Sequence, residues 1–314
     1  MIGLRASLSR PGHIRGKALE ATSVTIMGQE LAIPAGEFDV EYRGPRITTL
    51  ANAFDGNTSI AELELDLDTS ECLNMVCLLH NCTKLVSLDI SKLDFSKCEH
   101  LRDAFCNTNV ASIFGLENLN YPEDCSIVWM VGRCYGIKSI DTRKWNKTKT
   151  IAGTFYSCSS LNECPDLSFI KWDEVVDLSW LLTCHYYGGV LDLDKYVTVE
   201  CKPQRINELI NNCHFEQINL TKFNFENTVG GTMSAFSNVP ELKRIKGGLR
   251  NFKAPLAIKH CSLTHDALIE LFDSLYDLAA AGMASQSITL PDAQKALLSD
   301  AEIASLTTKG WTLA

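Results

Sequence analysis

The chain has no long apolar run. No stretch of 18 residues is apolar enough to span a bilayer, and the longest patch of small apolar residues runs only from Leu278 to Met283. Membrane insertion is therefore not expected. The start, MIGLRASLSRPGHIRG, lacks the apolar segment of a secretory signal, because Arg5, Ser7, Ser9, Arg10 and Pro11 interrupt it. Positive charge is also in deficit: 29 Lys and Arg face 38 Asp and Glu, a net charge of −9. A partner held by nucleic-acid phosphates is excluded on that balance. There is no C-x-x-C pair and no Cys/His set at zinc-finger spacing, so no metal site is expected. H-E-x-x-H, G-x-S-x-G, G-x-G-x-x-G and P-loop sequences are missing too. Nothing assembles a nucleophile with a base. Neither catalysis nor a cofactor is expected.

Cysteine is what the chain has in excess: 13 residues, an odd number that rules out complete intrachain pairing. At 314 residues the chain can bury a core without covalent staples. With no export signal the expected compartment is reducing, where disulfides are uncommon.

The cysteines fall into a repeat. Its clearest unit runs from Met75 to Ile90 around an apolar anchor, Leu79. The template has an apolar residue at −4, Cys at +3, an apolar residue at +6 and an apolar-x-apolar pair from +9. Copies recur at Phe54, Phe105, Val131, Phe155, Leu182, Ile210 and Phe236, at spacings of 25, 26, 26, 24, 27, 28 and 26 residues. Some units depart from it. The third and seventh place the pair one residue early, at Ile113 and Ile218. The fifth has Cys164 and Pro165 in the strand. The sixth has His185 at +3, and the eighth has Thr232 at −4.

Cys72, Met75, Leu78 and Leu79 fall at helical spacing, and Ser70, Ser96, Asn146, Asp173 and Asn227 stand where N-caps are wanted. From Leu88 to Ile90 the period becomes two. Each unit therefore reads as a short helix, a turn and a short strand. Cys82, Cys134, Cys158 and Cys213, all at +3, are expected to be buried small residues packed in register.

VSLDISKLDFSKCEHLRDAF and IAGTFYSCSSLNECPDLSF resemble the BspA-like class of bacterial leucine-rich repeats, over residues 47–247. The resemblance implies adhesion, host-surface recognition or virion structure. The closing segment, SITLPDAQKALLSDAEIASLTTKGWTLA, is similar to the ends of such proteins from gut bacteria and their phages.

The expected fold is an α/β, right-handed leucine-rich-repeat solenoid of about eight 26-residue helix–strand units. Residues 1–46 would form an N-terminal cap or docking segment, 47–247 the solenoid and 248–314 a C-terminal cap. In the first segment, Val24–Met27 and Glu37–Tyr42 alternate as strands around a turn at Pro34–Gly36. In the last, an amphipathic helix is expected over 264–280, a strand at Ser287–Leu290, a helix from Asp292 and a strand at Trp311–Leu313.

The residue between the paired apolar positions of each strand should face away from the core. Glu64, Asp89, Phe114, Asp141, Asp192, Asn219 and Lys246 hold that place, with Pro165 in the fifth unit. They are the candidate binding face. The expected function is non-catalytic binding of a protein or receptor, as a bacteriophage virion structural or host-recognition component. A bacterial cell-surface adhesin and a cytoplasmic scaffold are the alternatives. Partners would be a protein or a cell-surface glycan, with other virion proteins engaged through residues 1–46. The expected location is the virion, or else the cytoplasm or cell surface.

Overall fold

Polar–apolar alternation makes strands at the start of the chain. The computed structural model describes residues 11–183, 187–229 and 234–314. His185 and Thr232, two of the irregular template positions, lie outside them, as do Arg5, Ser7, Ser9 and Arg10. The chain divides into two units, Met1–Asn146 and Lys147–Ala314.

The first unit holds β1 (Gly12–Ala18), β2 (Thr22–Ile26), β3 (Gln29–Ile33), β4 (Gly36–Tyr42), β5 (Ile60–Asp66), β6 (Ser87–Asp89) and β7 (Ile113–Phe114). Met27 and Gly28 take positive φ in the two-residue turn between β2 and β3. The expected pairing of the Val24 and Glu37 segments is corrected: β2 pairs β3, and β4 pairs β1. A five-stranded sheet runs β4-β1-β5-β6-β7. Its first three strands are antiparallel neighbours, whereas β5, β6 and β7 are parallel, with Leu63, Leu88 and Ile113 in register. Gly16 in β1 takes a φ of 153°, and a Cβ there would lie 1.8 Å from the Glu62 carbonyl oxygen of β5. Only glycine lets these two strands approach so closely.

The second unit holds β8 (Leu182–Thr183), β9 (Tyr187–Asp192), β10 (Ile210–Asn211), β11 (His214–Asn219), β12 (Phe236–Ser237), β13 (Arg244–Lys246), β14 (Leu256–Ala257), α1 (His265–Ser274), β15 (Gln286–Thr289), α2 (Asp292–Lys295), α3 (Asp300–Thr308) and β16 (Trp311–Leu313). Three parallel three-stranded sheets result, ordered β12-β10-β8, β13-β11-β9 and β14-β15-β16. The C-terminal expectations are close to what is seen. Helix α1 is shorter than 264–280 because it is capped by Thr264 and ends at Ser274, and residues 276–280 continue without helix.

The expected α/β leucine-rich-repeat solenoid of eight helix–strand units is overturned. Among the described residues the three α-helices all lie after residue 264, and the strands gather into separate small sheets. Among the described residues, the segments read as helices, with Ser70, Ser96, Asn146, Asp173 and Asn227 as N-caps, contain no α-helix. The reason lies in the backbone beside each anchor. The residue at −2 has positive φ at Asn52, Cys77, Asp103, Trp129, Gly153, Trp180 and Glu208. The residue at +2 has it at Gly56, Asn81, Asn107, Arg133, Ser157, Asn212 and Asn238. Two left-handed residues four apart cannot lie inside a right-handed helix.

The backbone amides accordingly go elsewhere. Asn52, Phe54 and Gly56 donate to the carbonyls of Val76, Leu78 and His80. Met75, Cys77, Leu79 and Asn81 donate in turn to His100, Arg102, Ala104 and Cys106. The intervening amides, such as Leu78 and His80, close tight turns on the carbonyls of Met75 and Cys77. From Met75 to Asn81 every amide is thus accounted for without an i to i−4 bond, that of Val76 going to the Asn74 side chain. In the second unit the same bonds run from Leu178, Trp180 and Leu182 to Arg205, Asn207 and Leu209.

All eight anchors are buried. Cys82, Cys134, Cys158 and Cys213 are buried free thiols. The Cys82 thiol donates to the carbonyl of Phe54 at 3.0 Å and that of Cys134 to the carbonyl of Phe105 at 3.1 Å. Thr108 holds the +3 place of the third unit, with its hydroxyl 3.3 Å from Cys134 Sγ. At Cys82 and Cys134 the thiol at +3 therefore closes its segment onto the one before it.

Candidate strand-face binding site

The five-stranded sheet of the first unit buries one face and exposes the other. In β5 the buried residues are Ile60, Leu63 and Leu65, and Glu62, Glu64 and Asp66 point outward. In β1 the outward residues are His13, Arg15 and Lys17. The register aligns Asp39, Arg15, Glu64, Asp89 and Phe114 in one row across the five strands. Three of the candidates, Glu64, Asp89 and Phe114, thus stand side by side.

The row is strongly paired at its β1 side. Arg15 Nε lies 3.0 Å from Asp39, and its Nη1 lies 3.1 Å from Glu64 and 3.4 Å from Asp66. Lys92 adds a second cation, 2.6 Å from Glu64 and 3.5 Å from Asp66. Hydrogen bonds from His13 and then Arg15 hold the Asp39 carboxyl below its usual range. The bond to Asp39 raises the Arg15 guanidinium, and the bond to Glu64 raises the Lys92 ammonium. Glu64 is therefore tied into a surface network.

The β7 side is different. Asp89 accepts the Ser91 amide at 2.8 Å, which fixes its carboxylate in the turn after β6. Phe114 is 59% exposed on the free edge strand. An exposed aromatic ring beside a carboxylate suits a partner that carries an apolar and a basic group.

Asp141 lies in no strand. Arg143 forms a two-pronged pair with it, at 2.8 and 2.6 Å, and donates its amide to the same carboxylate. This arrangement pulls the Asp141 carboxyl well below the usual range, first through the side-chain bond. Pro165 is buried outside any strand.

In the second unit Asp192, Asn219 and Lys246 align across β9, β11 and β13. Asn219 accepts a bond from the side-chain amide of Gln217 at 2.8 Å, and Asp192 Oδ1 is buried without a partner. Lys246 is exposed. Six of the seven candidates therefore form one three-residue row in each unit, and Asp141 belongs to no strand row.

Sequence reading missed Arg15, Asp39 and Lys92, the groups that neutralise Glu64. The alternation His13-Ile14-Arg15, followed by Lys17-Ala18, was the available signal for β1. It also missed a second cysteine series, Cys72, Cys98 and Cys125, buried and close enough to sense one another electrostatically. Burial pushes the Cys98 thiol up to about 12. Among the described residues no group of three or more His, Cys, Asp or Glu is placed to hold a metal, and no helix is long and apolar enough to cross a membrane.

Comparison with protein-family models, with characterised proteins and with solved structures finds no match in any of the three.

Proposed function

We propose that the chain is a non-catalytic binding protein that engages a protein partner through the exposed sheet face of its first unit, as a structural or host-recognition component of a bacteriophage particle. The observation that carries this reading is Phe114, a large apolar side chain 59% exposed at the free edge of a sheet, next to Asp89. Isolated apolar residues on a surface are ordinary, but an aromatic ring in register with carboxylates has the composition of an interface anchor. The virion setting is supported by the sequence likeness of the repeat segments to BspA-like proteins.

Two experiments test the proposal. Mass spectrometry of purified phage particles should find the chain; finding it on a cell envelope and not in particles supports an adhesin instead. Once the particle protein that binds the chain is purified, Phe114→Ala should weaken binding by roughly thirtyfold, the scale of an aromatic hot spot of about 2 kcal/mol. Asp89→Asn should weaken it less. Unchanged binding by both variants rules out the face.

A further inference from the structure

Beside the anchors Phe54, Leu79 and Phe105 the inter-segment hydrogen bonds run in one direction. There the amides donate to carbonyls of the segment that follows in sequence. The carbonyls of Val76, Leu78 and His80 are filled in this way. Their equivalents in the first segment, at −3, −1 and +1 of Phe54, are those of Ala51, Ala53 and Asp55. No repeat segment precedes them, and among the described residues they accept no hydrogen bond.

Residues of this segment line a cleft of about 340 Å³, with Ala53, Asp55 and Asn57 on one side and Thr22, Ser23, Val24 and Thr25 of β2 on the other. Among the described residues strand β2 pairs only with β3. The register closes on Ile26 and Gln29, so the main-chain groups of Ser23 and Thr25 point away from β3, along the unpaired edge. Asn57 ties the walls together by donating to the Thr22 hydroxyl at 3.2 Å, while its carbonyl oxygen accepts the amides of Ser59 and Ile60. Asp55 is held by His80, whose Nδ1 lies 3.0 Å from Oδ1.

The two walls ask for different chemistry. The Phe54 segment offers acceptors: main-chain carbonyls and the Asp55 carboxylate. The β2 edge offers both amides and carbonyls. Carbonyls at alternate residues are strung along the chain and do not converge on one point, as a calcium ion requires. A peptide strand presents amides and carbonyls alternately on each edge and would leave half its carbonyls against other carbonyls. A sugar satisfies both walls, because each hydroxyl donates and accepts. The volume falls in the range of small-molecule sites, about 300–1,000 Å³.

We propose that this cleft is a saccharide subsite that takes one or two sugar units through their hydroxyls. It lies on residues other than those of the Phe114 face, so either assignment can fail alone. The test is saturation-transfer NMR on the whole chain with the methyl glycosides of glucose, galactose, mannose and N-acetylglucosamine and with lactose and cellobiose, alongside spermidine. At least one sugar should receive saturation from the wild-type chain and perturb the amides of Ala53 and Asp55. Asp55→Asn should weaken that binding about tenfold, the loss of one charge-assisted hydrogen bond. Thr25→Trp, at an exposed position on the cleft wall, should abolish it with no change in melting temperature. The proposal is overturned if no sugar binds, if spermidine alone binds, or if sugar binding survives in the folded Thr25→Trp chain.

Discussion

Asparagine and glycine dominate one position that decides the fold. Gly56, Asn81, Asn107, Asn212 and Asn238 all stand two residues after an anchor, and all have positive φ. These residue types enter the left-handed region most cheaply, whereas others lose roughly 1–2 kcal/mol there. The signal was present in the sequence beside the apolar spacing. Spacing alone misleads because i, i+3, i+4 recurrence buries one face of a helix or of a chain folded in successive tight turns. Asn107 also donates to Asn81 at 2.7 Å, so these side chains link one segment to the next. Gly16 is a second backbone constraint. Gly16→Ala should cost at least about 2 kcal/mol, since a Cβ 1.8 Å from the Glu62 oxygen forces β1 off β5. Urea unfolding of the variant measures this, and a loss below about 0.5 kcal/mol refutes the close approach. The thiols make a further prediction. Burial pushes Cys82 and Cys201 up to about 12 and Cys134 to about 11, whereas Cys77 and Cys164 are only half-buried. Among the described cysteines, native alkylation followed by peptide mapping should label Cys77 and Cys164 first, leaving Cys82, Cys134 and Cys201 protected until the chain unfolds.

At the scale of elements, the C-terminal region was legible because its helices carry local signals. Thr264 caps α1, and Ser299 with Glu302 forms a reciprocal capping box on α3. The N-terminal strands were half legible: alternation located β2 and β4, but pairing depends on partners distant in sequence. Strand β4 meets β1, whose central Gly16 breaks the apolar pattern. His265 links two of the helices, with Nε2 2.9 Å from Glu302 and Nδ1 3.1 Å from Asp266. The bond to Asp266, then that to Glu302, raises the His265 pKa above its ordinary value of about 6.5. A raised pKa in the folded state stabilises the protonated form. The contribution is therefore complete below pH ~6.5 and is lost as pH climbs through the raised value. NMR titration should place the His265 midpoint above about 6.5, and the melting temperature should decline through that range. His265→Gln should remove this part of the decline. An ordinary or lowered midpoint contradicts the pairing.

At the scale of the whole molecule, the repeat period survives while its conformation differs from the expected one. Thr49, Asn74, His100 and Ser126 form successive parallel bridges in the first unit, and Leu182, Ile210 and Phe236 align in the second. The period placed Glu64, Asp89 and Phe114 in one row and Asp192, Asn219 and Lys246 in another, so grouping of the candidate face was readable. The charge balance of that face was not, because Arg15 and Lys92 reach Glu64 from 49 and 28 residues away in sequence. A single long row was not realised either, since residues around Asp141 and Pro165 form no strand. The central claim is that amides around anchors such as Phe54, Leu79 and Phe105 bond to the next segment and not within a helix. Trans-hydrogen-bond scalar couplings in the deuterated chain test it directly. The amides of Phe54, Leu79 and Phe105 should couple to the carbonyls of Leu78, Ala104 and Met130. Couplings to carbonyls four residues earlier in sequence would contradict the account.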